Sequence, residues 1–352
     1  MNKVKRRQFL RNTAIGGTAA VSLTAGLGEV GTAFAYSKGA TPSWTSGSES
    51  LPTGHQYEIS RGNTQVIVTE EGAGMRSLKV GGKEFLITYN ADQPSTGYHG
   101  QVLLPWANRI AGGLYTFEGV QQQLPINEPA NSSALHGVTH WMNWHVTRHT
   151  SDSITLEVVH HARDGYPFVV KFSETYSITK LGLEVFTTAQ NLGSTNAPYG
   201  LGHHPYFTLG TPTINSNILR IPARSYFKTD NHLIIEPPAV TVEGTKYDFR
   251  TPRQLGGTVM DTNFADITYD SDGYARTYLS EPGGSSLTFF MSHVHKYMQI
   301  YTSDTQPTPL LRKAIVIEAY TGACNAFNNG LGLVVLKPGK SFTAHWGVTI
   351  HP

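Results

Sequence analysis

Two segments of this chain set a titratable group among apolar neighbours. They are Gly202-His203-His204-Pro205-Tyr206-Phe207 and Ile315-Val316-Ile317-Glu318-Ala319-Tyr320. With an unperturbed pKa of about 6.5, His204 can give or take a proton near neutrality. The alternative for it is a buried histidine bonded to a backbone carbonyl. An ionised glutamate is rarely buried alone, so Glu318 reads as a base or as half of a structural pair with an arginine such as Arg109. One acid and one base in reach of each other suffice for general acid–base chemistry.

Other residues could position a substrate. In Leu104-Pro105-Trp106-Ala107-Asn108-Arg109-Ile110 a polar pair stands between apolar residues, and the Arg109 fork suits hydroxyls or a carboxylate. An arginine snorkelling at a strand end has the same composition. Leu135-His136-Gly137 sets a second imidazole beside a glycine that allows close backbone approach. Trp141 and Trp144 follow, as sugar platforms or as core. Among the fifteen histidines, His136 with His140, His160 with His161, and His293 with His295 on one strand face offer ligand pairs. No cysteine joins them and no third ligand stands at standard spacing, so no metal and no other cofactor is predicted.

The ends of the chain carry different information. Lys3, Lys5, Arg6, Arg7 and Arg11 precede an apolar run from Ile15 to Leu27, then Ala33-Phe34-Ala35. This pattern predicts a twin-arginine-type export signal over 1–35, cleaved after Ala35, and a periplasmic or extracellular destination without stable membrane insertion. Removing it takes five basic residues and one acidic residue, which turns a formal charge of +2 into one near −2. No basic patch remains to bind nucleic acid, so a small neutral partner is favoured. A single cysteine, Cys324, excludes an intrachain disulfide, and about 300 residues must hold together by core burial.

Residues 36–54, rich in Ser, Thr, Gly and Pro, read as a flexible linker ahead of a domain over 55–352. Within that domain, short β-branched and aromatic segments recur between turn residues: Gln65–Thr69, Ile154–Val159, Val169–Tyr176, Leu183–Thr188, Ile315–Ala319 and His345–Ile350. No long segment has helical period. The fold class is all-β, as one large antiparallel β-sandwich, with two adjacent β domains as the alternative.

Taken in order, these residues resemble the aldose 1-epimerase, or galactose mutarotase, family along most of the chain beyond the signal. Pro105 to Ile110, with Gly113, Tyr115, Phe117 and Gly119, resembles its Asn-Arg-Ile stretch, and Leu135-His136-Gly137 its Leu-His-Gly. Tyr166-Pro167-Phe168 and then Asn191 to Phe207 lead into its His-Pro-Tyr-Phe signature. Met260-Asp261 with Phe264 resembles an acidic substrate-binding segment. Gln299 to Tyr301, Glu318 to Asn328 and Pro338-Gly339 resemble the closing strands. Two positions depart: Val138 stands where many members have a second glycine, and Tyr320 where many have proline.

The resemblance implies a galactose mutarotase-like supersandwich that interconverts the α and β anomers of a free aldose of glucose or galactose type. It implies His204 as general acid, Glu318 as general base, and Asn108, Arg109, His136 and Asp261 as groups that hold sugar hydroxyls. The reaction needs a base at the C1 hydroxyl and an acid at the ring oxygen, with roles reversed on reclosure, so Glu318 should start ionised and His204 protonated. A non-catalytic carbohydrate-binding sandwich and an epimerase of phosphorylated hexoses are the rival readings. A glycosidase, which generally uses two carboxylates, is a third.

Overall fold

Alternation of apolar and polar residues dictates the architecture. Along Val170–Thr179 every second side chain is buried, and Gly182–Asn191 repeats the pattern, joined by a two-residue turn that pairs Thr179 with Gly182. Each strand therefore turns one face inward, and the inward faces need a second layer.

The computed structural model describes residues 51–352. The signal over 1–35 and most of the 36–54 segment lie outside the described residues. Packing begins at the end of that segment, where Thr53 is fully buried and its carbonyl accepts from the Glu71 N–H at 3.1 Å. The described residues form one packed unit, and among them no helix is long and apolar enough to cross a membrane.

The larger layer is a nine-stranded sheet ordered His145–His149, Ser153–His160, Val170–Thr179, Gly182–Asn191, Ser341–His351, Ser286–Ser292, Tyr274–Ser280, Ile218–Arg220, Arg253–Gln254. The second has six strands, ordered Tyr206–Phe207, Ile315–Tyr320, Tyr297–Tyr301, Asp261–Ile267, Ala223–Thr229, Ile235–Thr241. Both sheets, and a four-stranded sheet over Gln56–Glu84, are antiparallel throughout. The one α-helix among the described residues is the single turn Ala326–Asn329.

One continuous apolar cluster joins the layers. Phe172, Val185, Phe289 and Trp346 from the nine-stranded sheet meet Phe207, Phe264, Met298, Ile300 and Ile317 from the six-stranded one, with the Phe207 and Phe289 rings 6.1 Å apart. Each such buried side chain contributes roughly 1.5–3 kcal/mol of transfer free energy.

In Ile315–Tyr320 every residue is buried, because this strand lies inside its sheet with both faces covered. Glu318 is thus the fourth residue of a fully enclosed strand. The layers also hold one polar pair: the His203 Nε2 lies 2.8 Å from Oε1 of Glu174, and Glu174 is fully buried. His203 faces the sandwich interior, while His204 faces the other way.

Candidate active site

Five separate segments meet at the mouth of the six-stranded sheet. All six residues singled out in the sequence, Asn108, Arg109, His136, His204, Asp261 and Glu318, line one cavity of about 180 Å³. That volume is below the roughly 300–1,000 Å³ of drug-sized sites and suits one small molecule.

His204 and Glu318 arrive by strand pairing. Tyr206–Phe207 pairs with Ile315–Val316, which brings the preceding His204 beside the same strand's Glu318. Its backbone is clamped, the N–H donating to the Gln101 carbonyl at 3.1 Å and the carbonyl accepting from the Gly100 N–H at 3.0 Å. The Nε2 of His204 lies 3.9 Å from Oε1 of Glu318, beyond hydrogen-bond length yet within reach of a shared ligand. Nδ1 has no partner among the described residues.

On the opposite wall, Arg109 pairs with Leu135 across a short ladder that sets Asn108 against His136. Both take left-handed backbone, with φ of 58° and 62°. The His136 N–H donates to the Asn108 carbonyl at 3.0 Å, and the Asn108 N–H donates to Nδ1 of His136 at 3.1 Å. Since Nδ1 accepts, the proton of the neutral ring sits on Nε2, which makes His136 a donor. Burial first, then the charges of His204 and Arg109, hold His136 well below the ordinary histidine range, so it stays neutral. Gly137 follows at φ +70°, and a Cβ there would fall 1.9 Å from the Leu104 carbonyl oxygen.

Arg109 is not the partner of Glu318. Its Nε and Nη2 donate to the two carboxylate oxygens of Glu128 at 2.7 and 2.8 Å, a bidentate fork that fixes the guanidinium plane. The remaining Nη1 lies 3.8 Å from Oδ2 of Asp261. Asp261 begins its strand opposite Tyr301, and its Oδ1 accepts from Nε2 of Gln299 at 2.5 Å. Glu128 thus holds Arg109 and Gln299 holds Asp261, which leaves Nη1 of Arg109 and Oδ2 of Asp261 facing each other in the cavity.

Glu318 is held instead by Tyr320. The Tyr320 hydroxyl donates to Oε2 at 2.7 Å, which leaves Oε1 toward His204. Burial raises the Glu318 pKa well above the carboxylate range, opposed by the Tyr320 bond and Arg109. Burial also lowers His204 to about 3, aided by His99. The expectation of an ionised Glu318 and a protonated His204 is therefore reversed among the protein's own groups: low dielectric favours neutral imidazole and protonated carboxyl. Both arrangements hold a single proton, and they differ by its passage between Oε1 and Nε2.

Aromatic rings close the cavity. Tyr98 packs against His136, His140 and His204 at centroid distances of 4.7, 5.0 and 6.0 Å. The Tyr206 hydroxyl donates to the Gly97 carbonyl and accepts from Nε2 of Gln306. The sequence reading missed Glu128 and Tyr98, and it marked Tyr320 only as a departure from the family pattern, not as the hydrogen-bond donor to Glu318. The signal for that bond was the spacing, since a residue two after Glu318 shares its strand face.

The histidine pairs do not build a metal site. His293 and His295 lie in the turn after Ser286–Ser292, the first exposed and the second buried, so they share no strand face. Among the described residues no group of three or more His, Cys, Asp or Glu is arranged to hold a metal.

Known proteins share this arrangement of chain. The "Uncharacterized protein YihR" of Escherichia coli K12 is 29% identical over 290 residues, spanning 82% of this chain and 91% of its own. Rat galactose mutarotase is 33% identical over 261 residues, 71% of this chain and 68% of the relative. Among solved structures, a GalM/aldose epimerase homologue from C. elegans superposes with a TM-score of 0.76 at 21% identity, covering 84% of this chain and 98% of that one. The aldose 1-epimerase family model matches residues 55–349, and the chain belongs to that family.

Proposed function

We propose that the protein is an aldose 1-epimerase that exchanges the α and β anomers of a free neutral aldose, with His204 and Glu318 as the proton-transfer pair. The observation that carries this reading is the 3.9 Å approach of His204 Nε2 and Glu318 Oε1 across one cavity. A pyranose set against both side chains offers its C1 hydroxyl to Glu318 and its ring oxygen to His204. The pair's single proton sits on Nε2 when the sugar's hydroxyls stabilise the ionic form. Proton loss from O1 to the carboxylate and proton gain by the ring oxygen from the imidazolium then open the ring. Rotation about C1–C2 and the reverse transfers close it on the other face, and the pair regains its starting state.

Arg109, His136, Asn108 and Asp261 hold the remaining hydroxyls as donors and acceptors, which supplies positioning rather than chemistry. The reaction needs no metal or organic cofactor. The lining favours a neutral sugar over a phosphorylated one: no lysine lines the cavity, its one arginine is engaged by Glu128, and the Asp261 carboxylate beside it would repel a phosphate.

Polarimetry of freshly dissolved α-glucose and α-galactose with catalytic protein tests the proposal. Faster approach to anomeric equilibrium without release of sugar from a glycoside is the expected result. Saturable sugar binding with no acceleration would point to a binding module instead. We further infer export of the chain, supported by Arg6-Arg7 ahead of the apolar run in the sequence. Retention in the cytoplasm of cells with an intact twin-arginine pathway would overturn that.

A further inference from the structure

The sequence singles out Trp141 and Trp144 together, but only Trp144 is core. Trp141 is 57% exposed, whereas Trp106, Trp144 and Trp346 are buried. It stands outside the His204 cavity, over a separate pocket of about 350 Å³. The Trp141 ring packs on His140, with ring centroids 4.2 Å apart, and the rest of the indole forms one wall of this pocket.

The pocket's other walls divide by chemistry. Leu124, Val138 and Met142 give an apolar floor, and Tyr166 adds only its ring because its hydroxyl donates to the Pro198 carbonyl. At one edge stand three polar side chains. His160 ends the inward-facing series Ile154, Leu156, Val158 of its strand, where the pattern calls for another apolar residue, and it is 4% exposed. Its Nδ1 meets the Phe168 carbonyl at 3.2 Å, which puts the ring proton there and leaves Nε2 as an acceptor with no partner among the described residues. The exposed Arg163 and Asp164 complete the edge, and neither side chain makes an ion pair or hydrogen bond among the described residues.

A ligand for such walls needs one apolar face, to lie on an indole, and an edge that both donates and accepts. The opposite charges of Arg163 and Asp164 leave the edge without net charge, which suits a neutral ligand. Vicinal hydroxyls on a pyranose ring meet all three demands.

We propose that this pocket is a second saccharide site, taking one pyranose ring of a neutral sugar flat against Trp141, with its hydroxyls on His160 Nε2, Arg163 and Asp164. The site sits on the outer side of the chain segment His136–Met142, whose inner side presents His136 to the His204 cavity. It stands independently of turnover at His204 and Glu318.

The test uses methyl α-D-glucopyranoside and methyl α-D-galactopyranoside, whose blocked anomeric centres cannot ring-open. Tryptophan emission of full-length protein is followed during titration with Trp44, which lies outside the described residues, replaced by Phe, so that of the four remaining tryptophans only Trp141 is exposed. A saturable emission change is expected with at least one glycoside. In Arg163→Ala and in Asp164→Ala its apparent Kd rises roughly tenfold or more, the loss of a hydrogen bond to a charged group, while mutarotation of free glucose is unchanged. No saturable change with either glycoside overturns the proposal. So does a change that survives both substitutions and disappears in Arg109→Ala, which would place the binding in the His204 cavity. A protein that fails the polarimetric assay yet keeps the emission change would lose the epimerase reading and retain this site.

Discussion

The Tyr320 hydroxyl donates to Oε2 of Glu318 at 2.7 Å inside a strand with no exposed residue. One oxygen of the carboxyl is thereby tied down, and the other is turned to His204. Because that bond opposes the upward push of burial on Glu318, Tyr320 governs both where the carboxyl points and how readily it gives up its proton. Tyr320→Phe removes the bond and leaves the ring in place. Turnover should fall on the order of tenfold, the cost of one hydrogen bond at a buried carboxyl. The basic limb of the pH–rate profile should move to higher pH, since the carboxyl holds its proton more tightly. A profile that moves down, or an unchanged rate, would remove Tyr320 from this role.

His204→Asn and Glu318→Gln each delete one member of the proposed proton-transfer pair with little change of shape. Each should lower kcat by about a hundredfold or more, with circular dichroism spectra like that of the parent. Either variant running at the parent rate refutes the assignment.

The wild-type pH profile has a defined form. In the proposed mechanism activity requires one proton on the His204–Glu318 pair. A second proton enters at the lowered His204 value of about 3, and the single proton leaves at the raised Glu318 value. Both shifts widen the one-proton window, so kcat/KM should stay flat well below the ordinary histidine pKa of about 6.5. An acid limb at the ordinary histidine value would show that His204 is not held in the low-dielectric setting described.

Glu128 does no chemistry, yet its fork aligns Arg109. The two side chains are only 18% and 10% exposed, so Glu128→Gln leaves a largely buried guanidinium with a neutral partner. A destabilisation of about 1–3 kcal/mol is expected from thermal melting. KM should rise more than kcat falls, because the group that loses its alignment is the one proposed to bind hydroxyls and not to move a proton. A drop confined to kcat would contradict this division.

Gly137→Ala tests the turn behind His136. The added methyl would fall 1.9 Å from the Leu104 carbonyl oxygen, at a φ of +70° that side chains rarely adopt. Relief requires moving backbone on one side or the other, which costs at least about 2 kcal/mol. A lower melting temperature together with a raised KM is expected. Parent-like stability would mean that the turn has room the structure does not show.

Much of this molecule could be read from residue order alone. Strands such as Val170–Thr179 and Gly182–Asn191 announce themselves because a side chain on a pleated strand has two possible sides, and alternation records which side is wet. His204, Glu318, Asn108, Arg109 and His136 were legible because each sits in a short segment with its own composition, whereas Asp261 was picked out only by the family resemblance of Met260-Asp261 with Phe264. What no segment carries is a relation between segments. Arg109 takes Glu128, nineteen residues on, rather than Glu318, because the Arg109–Leu135 ladder folds the Glu128 turn onto the guanidinium. His293 and His295 look like a shared face and prove to be a turn with one residue out and one in. The protonation of His204 and Glu318 also escaped the sequence, which lists their ordinary pKa values but not the dielectric around them. Residue types determined which groups could exchange a proton. The enclosure of both by two packed sheets decided in which form they hold it, because burial acts on charge and only the tertiary structure sets burial.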